Sequence, residues 1–388
     1  MPLRDVTILD LTRQLPGPFC SQILADFGAQ VIKIEGPGGD PIRGQGPKLS
    51  RESAYFLGVN RNKRSLVLNL KAKGGREVFF RLAQRADIII EGFRPGVVER
   101  LGIGYQDIAR VNPRIIYCSL SGYGQDGPYH QRPGHDINYI ALGGILGLTG
   151  KRGSPPVIPG GQIADLTGGL LAALGLMLGL WARQKTGRGQ YIDVAMLDGV
   201  ISWLPFYLGE YMAEGTIPRR GEMLLNGGYA CYNLYETKDG AYMTLGALEP
   251  HFWEAFCREI GREDLISDQF AAGKRQKEMI QELQKIFMQR TQQEWIKFWE
   301  EKDIPCEPVL SLEEVLSHPQ VLSRGMVKEI DHPTEGTIRQ LGVPIKLSDT
   351  PGDVRTPPPL LGEHTGEILR WLGYSKQEIK RLEEEGVI

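Results

Sequence analysis

The sequence feature that most constrains the fold is a long apolar run, residues 166–182, which contains no charged side chain. Arg183, Lys185 and Arg188 follow it, and cations are favourable at the C-terminal end of a helix because they oppose its dipole. The pattern predicts a buried helix with Asp165 as its N-cap. The run falls just short of the roughly 18 apolar residues that can span a bilayer, and it holds four glycines. We therefore predict a core helix and no membrane segment.

Two of these glycines, Gly168 and Gly169, follow Asp165 within the first turn of the predicted helix. Each glycine costs a helix about 1 kcal/mol relative to alanine. A close neighbour would explain why both are present, because glycine lets another group approach the backbone. The sequence therefore predicts that either a second backbone segment or a ligand lies against this turn.

Short apolar strands alternate with helical patterns before this run. Residues 6–11 form a predicted strand, Pro16 opens a helical pattern that Gly28 closes, and residues 31–34 form the next strand. Further predicted strands are 65–70, 88–90 and 115–120, and the predicted helices between them are 75–84, 97–101 and 108–111. Such alternation predicts an α/β fold with an open, parallel, Rossmann-like sheet that binds ligands at the carboxyl ends of its strands.

The pattern changes after a polar, glycine-rich segment at residues 216–228. Residues 229–248 predict a hairpin that turns at Asp239-Gly240. Helical patterns follow at 252–260, 274–289 and 293–301. We predict a large α/β domain at residues 1–215, a smaller α+β domain at 216–335, and a C-terminal segment, 336–388, that returns to the large domain.

Composition excludes several classes of function. Lys and Arg number 45 against 47 Asp and Glu, a net charge of -2, which gives no basic field for nucleic acid or an anionic membrane. The five cysteines are widely spaced and form no CxxC pair, which argues against disulfides and zinc. The N-terminus has no signal-peptide pattern. We expect a cytoplasmic protein without a bound metal.

One glycine motif resembles a nucleotide site but lacks its context. Gly122, Gly124 and Gly127 fit the dinucleotide fingerprint G-x-G-x-x-G. Pro128 and Pro133 follow where a helix should begin on the pyrophosphate. The motif therefore does not predict a nicotinamide or flavin site.

Several motifs resemble those of the family III CoA transferases (CaiB/BaiF-like), which include the α-methylacyl-CoA racemases. They are Ala25 to Glu35, Asn60 to Ser65, Phe93 to Gly96, Glu99 to Gly102, Asn112 to Tyr117, Gly187 to Gln190 and Leu361 to Thr365. The resemblance covers the whole chain in order. It implies an enzyme that acts on CoA thioesters, has no permanently bound cofactor and forms an interlocked homodimer.

The resemblance also implies a set of residues that bind CoA. Arg43, Lys63, Arg94 and Arg100 correspond to positions near the nucleotide phosphates, and Asp136 belongs to the same set. Arginine suits this role because its planar fork pairs with phosphate oxygens. The alternative is that these cations are ordinary solvated surface groups.

The family uses the carboxylate that corresponds to Asp165 in two ways. In a transferase it attacks the thioester carbonyl and forms an acyl anhydride. In a racemase it removes or returns the proton on the α-carbon, which requires a second base on the other face. His135 matches the racemase histidine, and an imidazole can carry a proton near neutral pH. Glu249, in Gly246 to Pro250, resembles the racemase glutamate that orients this histidine.

Other segments favour the transferase branch. Glu35 to Arg43 and Thr12 to Leu15 are less typical of racemases, although Leu15 stands where some transferases have a glutamine. The alternatives are a structural histidine at His135 and a solvent-exposed glutamate at Glu249. The sequence predicts a racemase or epimerase of 2-methyl-branched acyl-CoA thioesters that uses His135 and Asp165. CoA transfer between carboxylic acids through Asp165 is the alternative, followed by a non-enzymatic acyl-CoA-binding protein.

Overall fold

The computed structural model describes residues 1–388 and contains a six-stranded parallel sheet and two two-stranded antiparallel sheets. The strands are β1 (Thr7–Asp10), β2 (Gln30–Glu35), β3 (Lys63–Val67), β4 (Ile88–Glu91), β5 (Ile116–Ser121), β6 (Tyr191–Ala195), β7 (Tyr232–Glu236), β8 (Tyr242–Gly246), β9 (Val327–His332) and β10 (Gly336–Leu341). The parallel sheet has the order β3-β2-β1-β4-β5-β6. The predicted α/β class and parallel sheet are confirmed. Because the order reverses between β1 and β4, the loops that follow these strands flank a crevice.

Seventeen helices accompany the strands. They are α1 (Pro16–Asp26), α2 (Ala54–Gly58), α3 (Lys73–Ala83), α4 (Val97–Leu101), α5 (Tyr105–Val111), α6 (Asp136–Leu142), α7 (Ile145–Leu148), α8 (Ile163–Thr186), α9 (Met196–Ile201), α10 (Pro205–Glu214), α11 (Pro250–Glu259), α12 (Lys274–Phe287), α13 (Gln292–Trp299), α14 (Leu312–Ser317), α15 (Pro319–Ser323), α16 (Thr365–Trp371) and α17 (Lys376–Glu384). Short 3-10 turns occur at Pro41–Gly44, Leu224–Asn226 and Glu263–Asp268.

The chain divides into two compact units. Unit 1 contains residues 1–143, 161–202 and 319–388, and unit 2 contains residues 144–160 and 203–318. The sequence-based boundaries at 215/216 and 335/336 differ from these limits. The second boundary falls inside the turn between β9 and β10, which pair along their whole length and therefore stay in one unit. This hairpin packs in unit 1, where the Gln340 side chain donates to the Leu57 carbonyl at 3.0 Å.

The C-terminal helices α16 and α17 complete the core of unit 1. Ile368, Leu369 and Leu382 are buried in the same apolar cluster as Leu66 of β3 and Phe79 of α3. Unit 2 has its own core, in which stacked rings fill the space between the β7–β8 hairpin and helices α11 to α13. These rings are Tyr235, Trp253, Phe256, Phe287, Trp295 and Trp299.

The predicted apolar helix is α8, but only one of its faces is buried. Ala164, Ala172 and Leu176 pack inside unit 1, whereas Leu178 and Trp181 are 59% and 60% exposed. The predicted buried helix is therefore buried along one face and exposed along the other. By length and composition alone α8 could cross a membrane, a test that core helices of soluble proteins also pass.

Packing between helices explains the two glycines in the first half of α8. A Cβ atom at Gly169 would lie 2.6 Å from the carbonyl oxygen of Pro16, and one at Gly168 would lie 2.6 Å from Met196 Cγ. The predicted close neighbour of Gly169 is thus a backbone segment, the start of α1. The interpretation that these glycines leave room for a ligand is not needed.

Candidate active site

A cavity of about 430 Å³ opens in unit 1 where the sheet order reverses. The loops after β1, β4 and β5 line it with residues 12–14, 92–95 and 121–123. His135 and Asp165, which are 30 positions apart in the sequence, both line this cavity. The structure therefore brings together the two residues that sequence analysis assigned to proton transfer.

Asp165 lies in the first turn of α8, but it is not the N-cap. The helix begins at Ile163 after Gln162, so Asp165 is its third residue. The cap comes from another helix, because Oδ1 of Asp136 accepts hydrogen bonds from the backbone N–H groups of Ala164 (2.6 Å) and Asp165 (3.1 Å). This contact corrects the predicted cap and leaves the Asp165 carboxylate free of that role. It also uses one oxygen of Asp136, which sequence analysis assigned to CoA binding.

Burial and a neighbouring acid change the proton affinity of Asp165. Burial raises the pKa of its carboxyl group, and the negative charge of Asp136 raises it further, to about 7. No cation offsets either effect. A carboxyl group in this state can hold or release a proton near neutral pH, as a general acid or base must.

His135 precedes α6 and occupies its N-cap position. The Asn138 side chain fixes the backbone there, because its Oδ1 accepts a hydrogen bond from the His135 backbone N–H at 3.0 Å. His135 is solvent-exposed, and it lines the cavity that Asp165 also lines. The imidazole and the carboxylate that caps α8 therefore belong to consecutive residues, His135 and Asp136.

Glu249 belongs to unit 2, where it occupies the N-cap position of α11. Its backbone is extended and its side chain is exposed. The residue therefore lies in a different compact unit from His135. Its predicted role in orienting the histidine stays a prediction.

Two of the predicted phosphate ligands already have protein partners. The Arg43 guanidinium forms ion pairs with Glu35 at 2.7 Å and Glu52 at 3.1 Å, and it stacks 3.5 Å from the ring centre of Phe56. Lys63 is 2% exposed. The Lys63 Nζ donates to Asp10 (3.3 Å), the Pro18 carbonyl (2.8 Å) and Asn60 (2.9 Å). All three donors of Lys63 and four of the five N–H groups of Arg43 bond within the protein, so their assignment to phosphate binding is corrected to a structural role.

The other two predicted ligands have free guanidinium groups. Arg94 lines the cavity from the loop after β4, and Arg100 is exposed on α4. Sequence reasoning missed Arg13 and Arg132, which also line the cavity. Each of these packs on a ring, Arg13 on Phe93 at 4.9 Å and Arg132 on Tyr129 at 3.7 Å. Arg13 directly follows Thr12 at the end of the first predicted strand. Because ligands bind at the carboxyl ends of parallel strands, this position could have identified Arg13 as a candidate ligand-binding residue.

The structure contains no cluster of three or more His, Cys, Asp or Glu side chains that could hold a metal ion. All five cysteines are free and buried. The ionisable groups that line the cavity are two imidazoles (His130 and His135), one carboxyl group, two phenols and three guanidinium groups.

The chain is similar to known proteins over nearly its whole length. The sequence profile of CoA-transferase family III matches residues 3–365. The chain is 38% identical to succinyl-CoA:glutarate CoA-transferase of Mus musculus, over 100% of this chain and 90% of that protein. It is 36% identical to α-methylacyl-CoA racemase of Homo sapiens, over 100% of this chain and 98% of that protein. A solved CAIB/BAIF family protein from Brucella suis has a TM-score of 0.83 at 31% identity, with 96% of this chain and 99% of that chain covered.

Proposed function

The chain belongs to CoA-transferase family III, and on that premise we propose that it interconverts the two α-configurations of 2-methyl-branched acyl-CoA thioesters. One observation carries the proposal, namely that His135 and the half-buried Asp165 line the same cavity. Racemisation needs one group to remove the α-proton and another to supply a proton on the opposite face. An imidazole and a carboxyl group whose pKa is raised to about 7 can exchange these two roles near neutral pH.

The free guanidinium groups supply the binding side of the proposal. We assign the nucleotide phosphates of the thioester to Arg94, which lines the cavity, and to the exposed Arg100. Charge-assisted hydrogen bonds of this kind contribute about 1.5 to 3 kcal/mol each. Asp136 caps α8 and raises the pKa of Asp165, so we assign it to positioning the base instead of to CoA.

CoA transfer is the second candidate. The identity of 38% to a CoA-transferase supports it, as does a carboxylate at Asp165 that is open to the cavity. In that reaction Asp165 attacks the thioester carbonyl, CoA leaves as the thiolate, and an acyl anhydride remains on the enzyme. His135 has no required step in this chemistry.

Incubation with a 2-methylacyl-CoA in deuterated water distinguishes the two reactions. A racemase incorporates deuterium at the α-carbon and erodes optical purity without any acceptor acid, and His135→Gln abolishes the loss of optical purity. A transferase needs an acceptor acid, forms an Asp165 acyl group that hydroxylamine captures, and tolerates His135→Gln. Capture of that acyl group without α-exchange would reject the racemase proposal.

We further propose that the chain forms the interlocked homodimer that the family resemblance implies. The exposed face of α8 supports an interface, since Leu170, Leu174, Leu178 and Trp181 form a large apolar stripe along it. Sedimentation analysis should give twice the mass of one chain, and a monomer at micromolar concentration would contradict the proposal.

A further inference from the structure

Tyr139 is a buried phenol in the wall of the candidate active site. It lies on α6, one turn after His135, and its side chain lines the cavity together with Asp165. The residue is 5% exposed, and its hydroxyl group has no protein acceptor. Because Tyr139 lines the cavity, its O–H group is available as a donor to a molecule bound there.

Two glycines make room for the Tyr139 ring. A Cβ atom at Gly122 would lie 2.4 Å from the Tyr139 hydroxyl oxygen, and one at Gly134 would lie 2.7 Å from Cε1. No side chain larger than hydrogen fits at either position while the ring stays in place. Gly122 is the first glycine of the motif that resembled a dinucleotide fingerprint. In the fold this glycine makes room for the Tyr139 phenol.

Neighbouring rings hold the phenol in a defined orientation. Tyr123 packs edge-on against Tyr139, with ring centres 5.0 Å apart and planes at 81°. Tyr129 packs in the same way on Tyr123 at 5.7 Å. Edge-to-face contacts between aromatic rings are favourable and directional. The Tyr139 hydroxyl group is thus preorganised before any ligand arrives.

Burial and the nearby charges keep the Tyr139 hydroxyl group protonated. Burial raises its pKa, Tyr123 and Asp165 raise it further, and the opposing effect of Arg94 is smaller, so the value is about 12. The phenol therefore remains a hydrogen-bond donor throughout the neutral range. Both Tyr139 and Asp165 line the same cavity, so one bound molecule can reach both side chains.

We propose that the Tyr139 hydroxyl group donates a hydrogen bond to the carbonyl oxygen of the bound thioester and stabilises the enolate oxygen that forms from it. A preorganised donor aimed at developing negative charge is the usual way in which proteins lower such barriers. The thioester oxygen lies two bonds from the α-carbon, which Asp165 must reach. A donor in the wall of the cavity that Asp165 also lines is therefore well placed for that oxygen. This inference rests on the proposed racemase function.

The electron and proton balance of the step is complete. One base takes the α-proton, and the electron pair of the broken C–H bond forms a carbon–carbon double bond. The π pair of the carbonyl moves onto the oxygen, where the hydrogen bond from Tyr139 strengthens while Tyr139 keeps its proton. The carbonyl bond then re-forms, and the acid on the opposite face returns a proton to the α-carbon.

The test is the variant Tyr139→Phe, which keeps the ring and removes only a hydroxyl group without a protein partner. Tyr129→Phe is the matched control, because it removes a hydroxyl group from the same ring cluster outside the cavity. The measurement is the rate of α-deuterium incorporation into a 2-methylacyl-CoA, as kcat and KM across pH 5 to 9. Thermal unfolding of each variant confirms that the fold is retained.

We expect kcat of Tyr139→Phe to fall roughly 10²-fold or more, the usual cost of one lost oxyanion donor. The apparent pKa of the acidic limb and the KM should stay close to those of the native protein, as should all parameters of the control. A kcat within about threefold of native would overturn the inference and leave the racemase function standing. A shift of the acidic limb without a fall in kcat would also overturn it, because Tyr139 would then act on Asp165. If the native protein itself shows no α-exchange, the proposed racemase function is wrong, and that result is distinct from a failure of the Tyr139 inference.

Discussion

Asp10 and Asp165 are two carboxyl groups near the carboxyl edge of the same sheet, and they have opposite environments. Burial acts to raise the pKa of Asp10, but Lys63 and Lys33, together with Ser21 and Thr12, lower it to about 2. Asp165 has no such partners, and burial with the charge of Asp136 raises its pKa to about 7. Burial alone therefore does not identify a reactive acid. The presence or absence of a compensating cation decides whether a buried carboxyl group supports the fold or is available for chemistry.

The largest expected effect is on catalysis at Asp165. Replacement by asparagine keeps the shape of the side chain and removes the group that exchanges a proton. We expect the rate of racemisation, measured as loss of optical purity, to fall by about 10³-fold, within the usual range for a lost general base. Asp10→Asn is the contrasting variant, whose folded fraction should retain the native rate. Racemisation by Asp165→Asn within about tenfold of native would remove Asp165 from the reaction.

The next effect is on stability at Asp10. Asp10→Asn leaves Lys63, which is buried and pairs with Asp10 at 3.3 Å, without its counter-charge. Loss of one partner of a buried ion pair costs about 3 to 5 kcal/mol, which urea denaturation at pH 7 measures. Asp5→Asn is the matched control, because its side chain is 90% exposed. A cost below about 1 kcal/mol would show that the pair is not stabilising.

The pH dependence of stability should have opposite signs at the two acids. The folded-state pKa of Asp10 is below its unfolded value, so its contribution is present above about pH 4 and is lost as the pH falls toward 2. The folded-state pKa of Asp165 is above its unfolded value, so ionisation increasingly destabilises the fold as the pH rises from about 4 to 7.

Asp165→Asn should therefore make the protein more stable at pH 8, by roughly 2 to 4 kcal/mol, with little gain at pH 4. Urea denaturation of both proteins at several pH values measures this difference. A gain that is independent of pH, or a loss at pH 8, would contradict the raised pKa of Asp165.

The smallest expected effect is on substrate binding, where a free arginine can be compared with a paired one. Arg94 is free and lines the cavity, whereas Arg43 is held by Glu35 and Glu52. We expect Arg94→Ala to raise KM for the CoA thioester about tenfold, equivalent to one lost charge-assisted hydrogen bond, with unchanged stability. Arg110→Ala, at an exposed position on α5, is the control. An unchanged KM would place the phosphates elsewhere.

The sequence predicted those parts of the fold that local patterns determine. The helix at 97–101 coincides with α4, the strand at 88–90 matches β4 within a residue, and Asp239-Gly240 turns the β7–β8 hairpin. Strand β6 and the β9–β10 hairpin were missed. β9 and β10 are mostly exposed and polar, so they lack the apolar signal by which the buried strands were found.

The candidate site could also be predicted only in part, because its residues were found from local motifs. His135 and Asp165 stand in recognisable motifs, and the structure places both at one cavity. Arg43 and Lys63 also stand in such motifs, yet their donors are used inside the protein. A motif shows that a residue type is needed at a position. It does not show whether the side chain faces a ligand or the core.

The sequence by itself determined that a carboxylate stands at the start of one long apolar helix and that a parallel sheet precedes it. Only the tertiary structure decided what that carboxylate can do. The cap of α8 comes from Asp136, 29 positions earlier, and the same contact raises the proton affinity of Asp165. The physical reason is that proton affinity depends on burial and on nearby charges, and folding brings those charges together from distant parts of the chain.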